Sequence, residues 1–289
     1  MGLFFCFCFS LIIEGQYPMD MILLWIPVLL GLGAVSGFLA GLLGIGGGIV
    51  LVPGLFFALN AFGYDGDHVM HIAIGTSLAI IIPTGVSSVR AHWKHGAVQI
   101  DLVRRIGIGI LAGVAVGTVI ANHITGETLN IIFAGALLLL AVIMASDPSR
   151  FSLADKVPGQ PWSAMMGAVI GMLSTLMGIG GATISVPYMT LHRVPIHQAI
   201  ATASALGLLI SIPAALGFIL IGWGVSGLPP FSVGYVNLLA CAVIVPASVL
   251  MAPFGARVAH RVAVRPLRRI FAIFIAVVAV RMWYEVAGG

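Results

Sequence analysis

Glycines crowd together at one point of this sequence of 289 residues, in a pattern that suits the binding of an anion. The residues Gly44, Gly46, Gly47 and Gly48 separate two apolar segments. Glycine both interrupts a helix and exposes backbone N–H groups. A helix that restarts after the break directs its positive dipole end and free N–H donors into the protein, where they can hold an anion. A tight turn between two helices, with no ligand, is the alternative interpretation.

The glycine pattern occurs a second time, in a stretch that repeats the first. Residues 37–53 (GFLAGLLGIGGGIVLVP) align without a gap with residues 171–187 (GMLSTLMGIGGATISVP), at an offset of 134. Gly178, Gly180 and Gly181 form the second cluster. Two further matches follow in the same order: 73–77 with 199–203, and 117–133 with 255–271. The chain therefore contains two copies of one unit, and we expect the two glycine clusters to face one another.

Hydroxyl side chains accompany the glycines in both copies. They are Thr76 and Ser77 in the first copy, and Thr183, Ser185, Thr202 and Ser204 in the second. These hydroxyls could donate hydrogen bonds to an oxyanion, or they could bond to the preceding turn of their own helix. We predict a substrate site formed by the two glycine clusters together with Thr76, Ser77, Thr183, Thr202 and Ser204. We predict no metal site and no cofactor.

The composition places these residues in a membrane. Apolar residues make up 60% of the chain and charged residues 8%, and the mean hydropathy is +1.15. An ordinary soluble domain is roughly 45–50% apolar and about 25% charged. Because a transmembrane helix needs about 20 apolar residues, we predict an all-α polytopic membrane protein with about 8 to 10 transmembrane or half-membrane helices.

Charges, prolines and polar clusters divide the chain into five apolar segments in each copy. They cover residues 21–43, 45–61, 69–89, 102–121 and 129–145, and then 162–177, 179–191, 199–223, 233–252 and 267–286. The second and seventh segments are short for a full crossing and contain glycine and proline. They are predicted to be half-helices that end within the membrane.

Lysine and arginine indicate the direction of each segment, since these residues stay mainly on the cytoplasmic side. If the basic loop at residues 90–105 is inside, 12 of the 13 cations fall inside, and Asp65, Asp67 and Glu127 fall outside. Both termini then face out. The basic loop lies between the third and fourth segments in the first copy but between the fourth and fifth in the second. The two copies are therefore predicted to have inverted topology, as in many secondary transporters.

The same boundaries give the predicted domain organisation. Residues 1–20 form an N-terminal extension, and because Met19 and Met21 directly precede the first long apolar segment, a start assigned too far upstream is a hypothesis for it. Residues 21–146 form the first transmembrane repeat, 147–161 a cytoplasmic linker, and 162–289 the second repeat.

Ionisable residues argue for an anion as the ligand. No Asp or Glu lies in the middle of a span, which counts against a carrier of cations. Arg90 and Arg281 lie near segment ends, where they could line an anion path or extend to the interface. The histidine pairs at 68 and 71 and at 92 and 95 lack a carboxylate or Cys to complete a metal site, so we interpret them as interface residues.

Other classes of protein fit the sequence poorly. No HExxH, GxSxG or comparable catalytic pattern occurs, so we predict that the chain is not an enzyme. No soluble basic segment with stacking aromatics exists to bind nucleic acid. The three cysteines, Cys6, Cys8 and Cys241, lie in apolar surroundings and are interpreted as inert thiols.

The paired motifs GLLGIGGGIVLVP and LMGIGGATISVP, with AIGTS and its degenerate copy AIATA, resemble the TauE/SafE family of bacterial membrane proteins, the sulfite exporters. The resemblance covers nearly the whole chain from about Met21 onward. It implies a multi-pass protein of the bacterial inner membrane that exports sulfite or organosulfonates. It also implies a pocket at residues 44–48 and 178–181 with Thr76, Ser77 and Thr202. Ala182 and Ala203 replace Gly48 and Ser77 in the second copy, which would weaken its contribution or make binding asymmetric.

We therefore expect an exporter of small anions that works by alternating access between two inverted halves. The substrate would bind near the middle of the membrane, between the two glycine clusters. An anion channel is the alternative, followed by a membrane-embedded enzyme or an accessory subunit. The expected partners are a small anionic substrate and membrane lipid, with no nucleic acid; association of several copies of the chain is left open.

Overall fold

A computed structural model describes residues 19–43, 47–64, 66–94, 96–145, 154, 156–259 and 264–288 of the chain. This part contains ten helices and a small β-hairpin. The first copy holds α1 (Met19–Leu43), α2 (Gly48–Ala61), α3 (Val69–Lys94), α4 (Ile100–His123) and α5 (Gly126–Ala145). The second copy holds α6 (Trp162–Met177), α7 (Ala182–Leu191), α8 (Ile196–Ile221), α9 (Leu238–Ala259) and α10 (Val264–Gly288). The hairpin, β1 (Ser232–Val233) and β2 (Val236–Asn237), lies between α8 and α9.

The prediction of an all-α polytopic membrane protein is confirmed. Within the described ranges, five helical segments are long and apolar enough to cross a membrane: Val69–Arg90, Ile100–His123, Gly126–Met144, Ile196–Ile221 and Leu238–Gly255. Large apolar side chains such as Ile108, Leu220 and Leu250 point outward and are about 70% exposed. Such a surface would be unfavourable in water but matches the hydrocarbon of a bilayer.

The second helix of each copy is short, as the sequence predicts. Helix α2 has 14 residues and α7 has 10. At a rise of 1.5 Å per residue they measure about 21 Å and about 15 Å, less than the hydrocarbon core of about 30 Å. Each follows a glycine-rich break, so a long helix and a short one form a pair in both copies.

The most extensive contacts between helices correspond when the two copies are exchanged. Helix α1 packs along α9, and its counterpart α6 packs along α4, the counterpart of α9. The pair α2–α3 corresponds to the pair α7–α8 in the same way. The pairs α3–α8 and α5–α10 each join a helix to its own counterpart, so the exchange leaves them unchanged. This is the pattern expected of two repeats related by a two-fold axis.

Glycines at a spacing of four, such as Gly109, Gly113 and Gly117 on α4, lie at the most extensive helix contacts. Gly113 on α4 lies against the Ala168 carbonyl of α6, and Gly171 on α6 lies against the Ile110 carbonyl of α4. In the equivalent pair, a side-chain carbon added to Gly33 on α1 would lie 2.8 Å from the Ile244 carbonyl oxygen of α9. Small residues let the two backbones approach this closely.

The hairpin is a feature that the sequence segmentation misses, because residues 233–252 read as one apolar span. The strands pair Ser232 with Asn237 and Val233 with Val236, so Gly234 and Tyr235 form a two-residue turn. Gly234 has φ +55°, a conformation that glycine adopts without strain. Helix α9 therefore begins only at Leu238, and the residues before it are free to contact α3 and α8.

Candidate functional site at the two glycine breaks

Both short helices begin in the same way, after a glycine in the left-handed region. Gly47 precedes α2 with φ 73° and ψ −16°, and Gly181 precedes α7 with φ 71° and ψ −20°. A residue with a side chain would be strained in this conformation, which explains the glycine at both positions. Gly44 and Gly46, which the sequence also assigns to the site, lie outside the described residues.

The described parts of the two breaks are in contact. A side-chain carbon added to Gly48 would lie 2.9 Å from the carbonyl oxygen of Gly178 and 3.1 Å from the Cα atom of Ile179. The hydroxyl of Ser77 donates a hydrogen bond of 2.8 Å to the same Gly178 carbonyl. Glycines of both copies and a predicted hydroxyl residue of α3 thus meet at one place in the fold.

Helices α6 and α8 complete the surroundings of the second break. A side-chain carbon added to Gly207 on α8 would lie 2.5 Å from the Gly180 carbonyl oxygen. The hydroxyl oxygen of Ser174 on α6 would lie 3.5 Å from a carbon added to Gly181. Gly180 itself faces the side chain of Ile81 on α3. The second break is therefore enclosed by elements of both copies.

Thr76 and Thr202 occupy equivalent positions and make equivalent bonds. The Thr76 hydroxyl oxygen accepts the backbone N–H of Asn237 at 2.9 Å, at the start of α9. The Thr202 hydroxyl oxygen accepts the backbone N–H of Gln99 at 3.0 Å, at the start of α4. Both threonines are fully buried. Each therefore holds the residue that precedes a helix, and its hydroxyl proton is left as the group that it can offer to another partner.

Ser204 serves the contact between α3 and α8. Its hydroxyl donates to the Ile200 carbonyl of its own helix at 3.0 Å and lies 3.1 Å from the Ser88 hydroxyl. Ser185 likewise donates to the Gly181 carbonyl of its own helical turn at 2.8 Å. The hydroxyls of these two serines therefore bond to the preceding turn of their own helix.

Three buried hydroxyls on α6, α7 and α8, the helices around the second break, have no hydrogen-bond partner in the part of the chain that the structure describes. They belong to Ser174, Thr183 and Ser211, which are 1%, 6% and 0% exposed. A buried hydroxyl without a partner costs free energy, so such groups usually meet a ligand or water. Sequence reasoning named Thr183 but missed Ser174 and Ser211, although a serine within an apolar helix is a signal that could have identified them.

The backbone N–H groups at the start of α7 are mostly occupied. Ala182 donates to the Gly180 carbonyl, while Ile184 and Ser185 both donate to the Gly181 carbonyl. In the first turn of α7 this leaves at most the N–H of Thr183 for a ligand. The expected row of free N–H donors is thus reduced, and the hydroxyls become the more important donors.

The two arginines considered for an anion path lie away from the breaks. Arg281 contacts Glu285 at 3.8 Å, and both line an open cavity of about 530 Å³ with Phe57, Asn60 and Ala61. This cavity lies at the C-terminal end of α2, whereas the glycine break is at its N-terminal end. Arg90 is exposed in the last part of α3.

Comparisons with known proteins agree with this architecture. A family model described as "Sulfite exporter TauE/SafE" matches residues 29–282. A probable membrane transporter protein of Haemophilus influenzae is 34% identical over 253 residues, which cover 88% of this chain and 96% of that protein. Probable membrane transporter proteins of Methanocaldococcus jannaschii and Bacillus subtilis (YunE) are 26% and 27% identical, covering 90% and 89% of this chain and 96% and 97% of their own. No solved structure matches the chain.

Proposed function

The chain belongs to the sulfite exporter TauE/SafE family and is a membrane transporter, and on this premise we propose that it exports a small sulfur-containing oxyanion across the bacterial inner membrane. The proposed substrates are sulfite and organosulfonates, and the proposed mechanism is alternating access. The substrate binds at the second glycine break, in contact with the first.

The observation that carries this proposal is the set of buried hydroxyls at Ser174, Thr183 and Ser211, which have no partner among the residues that the structure describes. Thr76 and Thr202 support the same proposal, because each hydroxyl already accepts an N–H and has a proton left to donate. A hydroxyl can donate as well as accept, so these groups can bind an oxyanion by donation. The choice of an anion over a cation rests on the sequence, which places no Asp or Glu in the middle of a span. The family supplies the preference for sulfur, which the hydroxyls alone do not specify.

Neutral donors also suit a ligand that must be released. A fixed arginine beside the substrate would bind an oxyanion strongly through paired charge-assisted bonds. Hydroxyls and an N–H group give weaker contacts, which permit exchange between the two sides. An inside-negative membrane potential drives an anion outward at about 2.3 kcal/mol per charge per 100 mV, so export can proceed without a coupled cation.

Alternating access is supported by the exchange symmetry of the helix contacts. Two repeats that pack equivalently can exchange their conformations and expose a central site first to one side and then to the other. On the positive-inside pattern, the connection between α3 and α4 lies in the cytoplasm and the connection between α2 and α3 lies outside.

Uptake of labelled sulfite into inverted vesicles tests the proposal. Wild-type uptake should saturate with sulfite concentration, whereas a channel would give a current that does not saturate. The variants Thr183→Val and Ser174→Ala should each raise the KM for sulfite about fivefold to tenfold, the equivalent of roughly one hydrogen bond to an anion. Absence of sulfite and sulfonate flux through the purified wild-type protein would overturn the proposal.

Ser185→Ala is the matched control. This serine also follows the second break and is also buried, but its hydroxyl is already bonded to the Gly181 carbonyl. We expect a KM for sulfite within a factor of about two of wild type. A thermal-shift screen with sulfite, sulfate, sulfoacetate, acetate and phosphate then ranks the ligands, since a bound ligand raises the midpoint of unfolding. Equal KM values in all three variants would place the substrate elsewhere.

A further inference from the structure

His71, in the first turn of α3, has both ring nitrogens beside backbone carbonyl oxygens. Its Nδ1 atom lies 3.1 Å from the Asp67 oxygen, and its Nε2 atom lies 2.9 Å from the Ala121 oxygen of α4. The side chain is 4% exposed. The sequence suggests an interface histidine, whereas the structure encloses this ring between two helices.

The chemistry of the ring makes this arrangement sensitive to protonation. A carbonyl oxygen can only accept a hydrogen bond, and a neutral imidazole has a single N–H to donate. A neutral His71 therefore satisfies one carbonyl and turns a lone pair toward the other. The imidazolium donates to both. We propose that His71 is a proton-binding site whose protonated form fastens α3 to α4 and keeps this end of the transporter closed.

The hairpin covers the same ring. The Tyr235 ring centroid lies 5.0 Å from that of His71, and the Phe218 centroid of α8 lies 6.5 Å away. The backbone of Tyr235 is fixed by its N–H, which donates to the Phe218 carbonyl at 3.1 Å. An aromatic ring at this distance from an imidazolium adds a favourable cation–π contribution. Helices α3, α4 and α8 and the hairpin thus meet around His71, and the ring centroid of His68 lies 6.3 Å from that of His71.

The other ionisable groups at this end lie on the hairpin, just before α3, and on α4 and α5. The Tyr235 hydroxyl lies 3.1 Å from the His68 Nδ1 atom, and burial raises the pKa of that hydroxyl, so it stays protonated. The carboxylate of Asp67 is at the exposed start of α3. Helix α4 contributes the exposed His123 and α5 the exposed Glu127, while Asp65 lies outside the described residues.

The second copy contains a natural comparison. His197 stands at the position equivalent to His71, at the same offset of 126 that relates residues 73–77 to 199–203. It lies in the first turn of α8 and is exposed. In an inverted repeat the two histidines belong to opposite faces of the membrane. A ring enclosed at one face and open at the other is the asymmetry expected of a transporter closed at the His71 end.

The role of the proton in transport rests on the proposed function, and the test separates the two. Sulfite uptake is measured in inverted vesicles while the pH on the His71 face is varied. Wild-type uptake should fall about tenfold as that face is acidified, because the imidazolium holds the end closed. His71→Gln should remove most of this dependence, and His197→Gln should retain it. The titration of sulfite is common to all three proteins, so the comparison isolates the histidine.

A second measurement reports on the proton directly. The ¹⁵N spectrum of histidine-labelled wild-type protein should show His71 passing from one protonated ring nitrogen to two as the pH falls. Sulfite flux with an unchanged pH profile in His71→Gln overturns the proton site and leaves the transport function intact. If His71 titrates but the wild-type protein carries no sulfite, the proton site stands and the proposed transport function is overturned. If His71→Gln does not fold, the wild-type ¹⁵N spectrum still tests the proposal. A His71 ring that keeps one unprotonated nitrogen at every pH overturns it.

Discussion

At the first break Gly47 introduces α2, and at the second Gly181 introduces α7, with φ and ψ angles that agree within a few degrees. The side chains around them are different. Residues 40, 49 and 51 of the first copy are Ala, Ile and Leu, and their equivalents in the second are Ser174, Thr183 and Ser185. The two copies therefore keep the backbone that the fold requires while their side chains diverge.

This difference teaches where to look for the ligand. Ala182 and Ala203 replace Gly48 and Ser77 in the second copy, which on sequence alone suggests a weaker second half. Among the described residues, however, the buried hydroxyls without partners belong to the second half. The residues that the two copies share thus form the backbone of the breaks, whereas residues that differ between the copies form the proposed substrate site.

The largest effect is expected where the two breaks touch. Gly178 has φ +63°, and an added carbon would lie 2.8 Å from the Val52 Cγ2 atom and 3.0 Å from the Ile74 Cα atom. Gly178→Ala should lower the free energy of unfolding by about 3 kcal/mol, since strain and overpacking add. Thermal unfolding in detergent measures this loss.

Gly63→Ala is the control for the backbone strain. Gly63 has φ +79°, but an added carbon would meet nothing within 4 Å. Its replacement should cost only about 1 kcal/mol, the strain of the left-handed conformation. Equal losses in the two variants would show that the contact between the breaks contributes nothing to stability.

A smaller effect is expected at Thr76 and Thr202, which accept backbone N–H groups at the starts of α9 and α4. Thr76→Val and Thr202→Val should each lower the free energy of unfolding by about 1–2 kcal/mol, because each leaves a backbone N–H unpaired. Thr76→Val should have the larger effect, since the N–H that it loses belongs to the buried Asn237, whereas Gln99 is half-buried.

Thr183→Val sharpens the same comparison. Its hydroxyl has no partner among the described residues, so its removal should leave stability unchanged or raise it slightly. Chemical unfolding of the three variants in one detergent compares them directly. If Thr183→Val lowered the free energy of unfolding as much as Thr76→Val or Thr202→Val, the Thr183 hydroxyl would have a structural partner. That result would contradict its role at the substrate site.

The sequence predicts local features of this molecule well. Glycine and proline punctuation predicts the ten segments and the short α2 and α7, because these residues act on the backbone where they stand. The spacing of four among Gly109, Gly113 and Gly117 is typical of glycines that pack two helices closely together. Partners distant in the chain are different: the bond from Asn237 to Thr76 joins residues 161 apart, and the bond from Gln99 to Thr202 joins residues 103 apart.

His71 illustrates the same limit within the candidate residues. Its neighbours in sequence indicate a histidine near a helix end, which is correct. Its second carbonyl partner, Ala121, lies 50 residues away on α4, and Tyr235 reaches it from a hairpin that the segmentation misses. Burial and protonation depend on such contacts, so they emerge only when the packing of α3, α4 and the hairpin is known.

The smallest effect separates two serines that the sequence treats alike. Ser77 is fully buried and joins α3 to the second break through the Gly178 carbonyl, whereas Ser204 is half-buried and bonds to its own turn. Ser204→Ala should therefore change the free energy of unfolding by about 0.5 kcal/mol or less and leave the KM for sulfite unchanged. Ser77→Ala should cost about 1 kcal/mol and weaken binding, because it releases the contact between the copies. Paired unfolding and uptake measurements decide this, and a raised KM in Ser204→Ala would extend the substrate site along α8 toward Ser88.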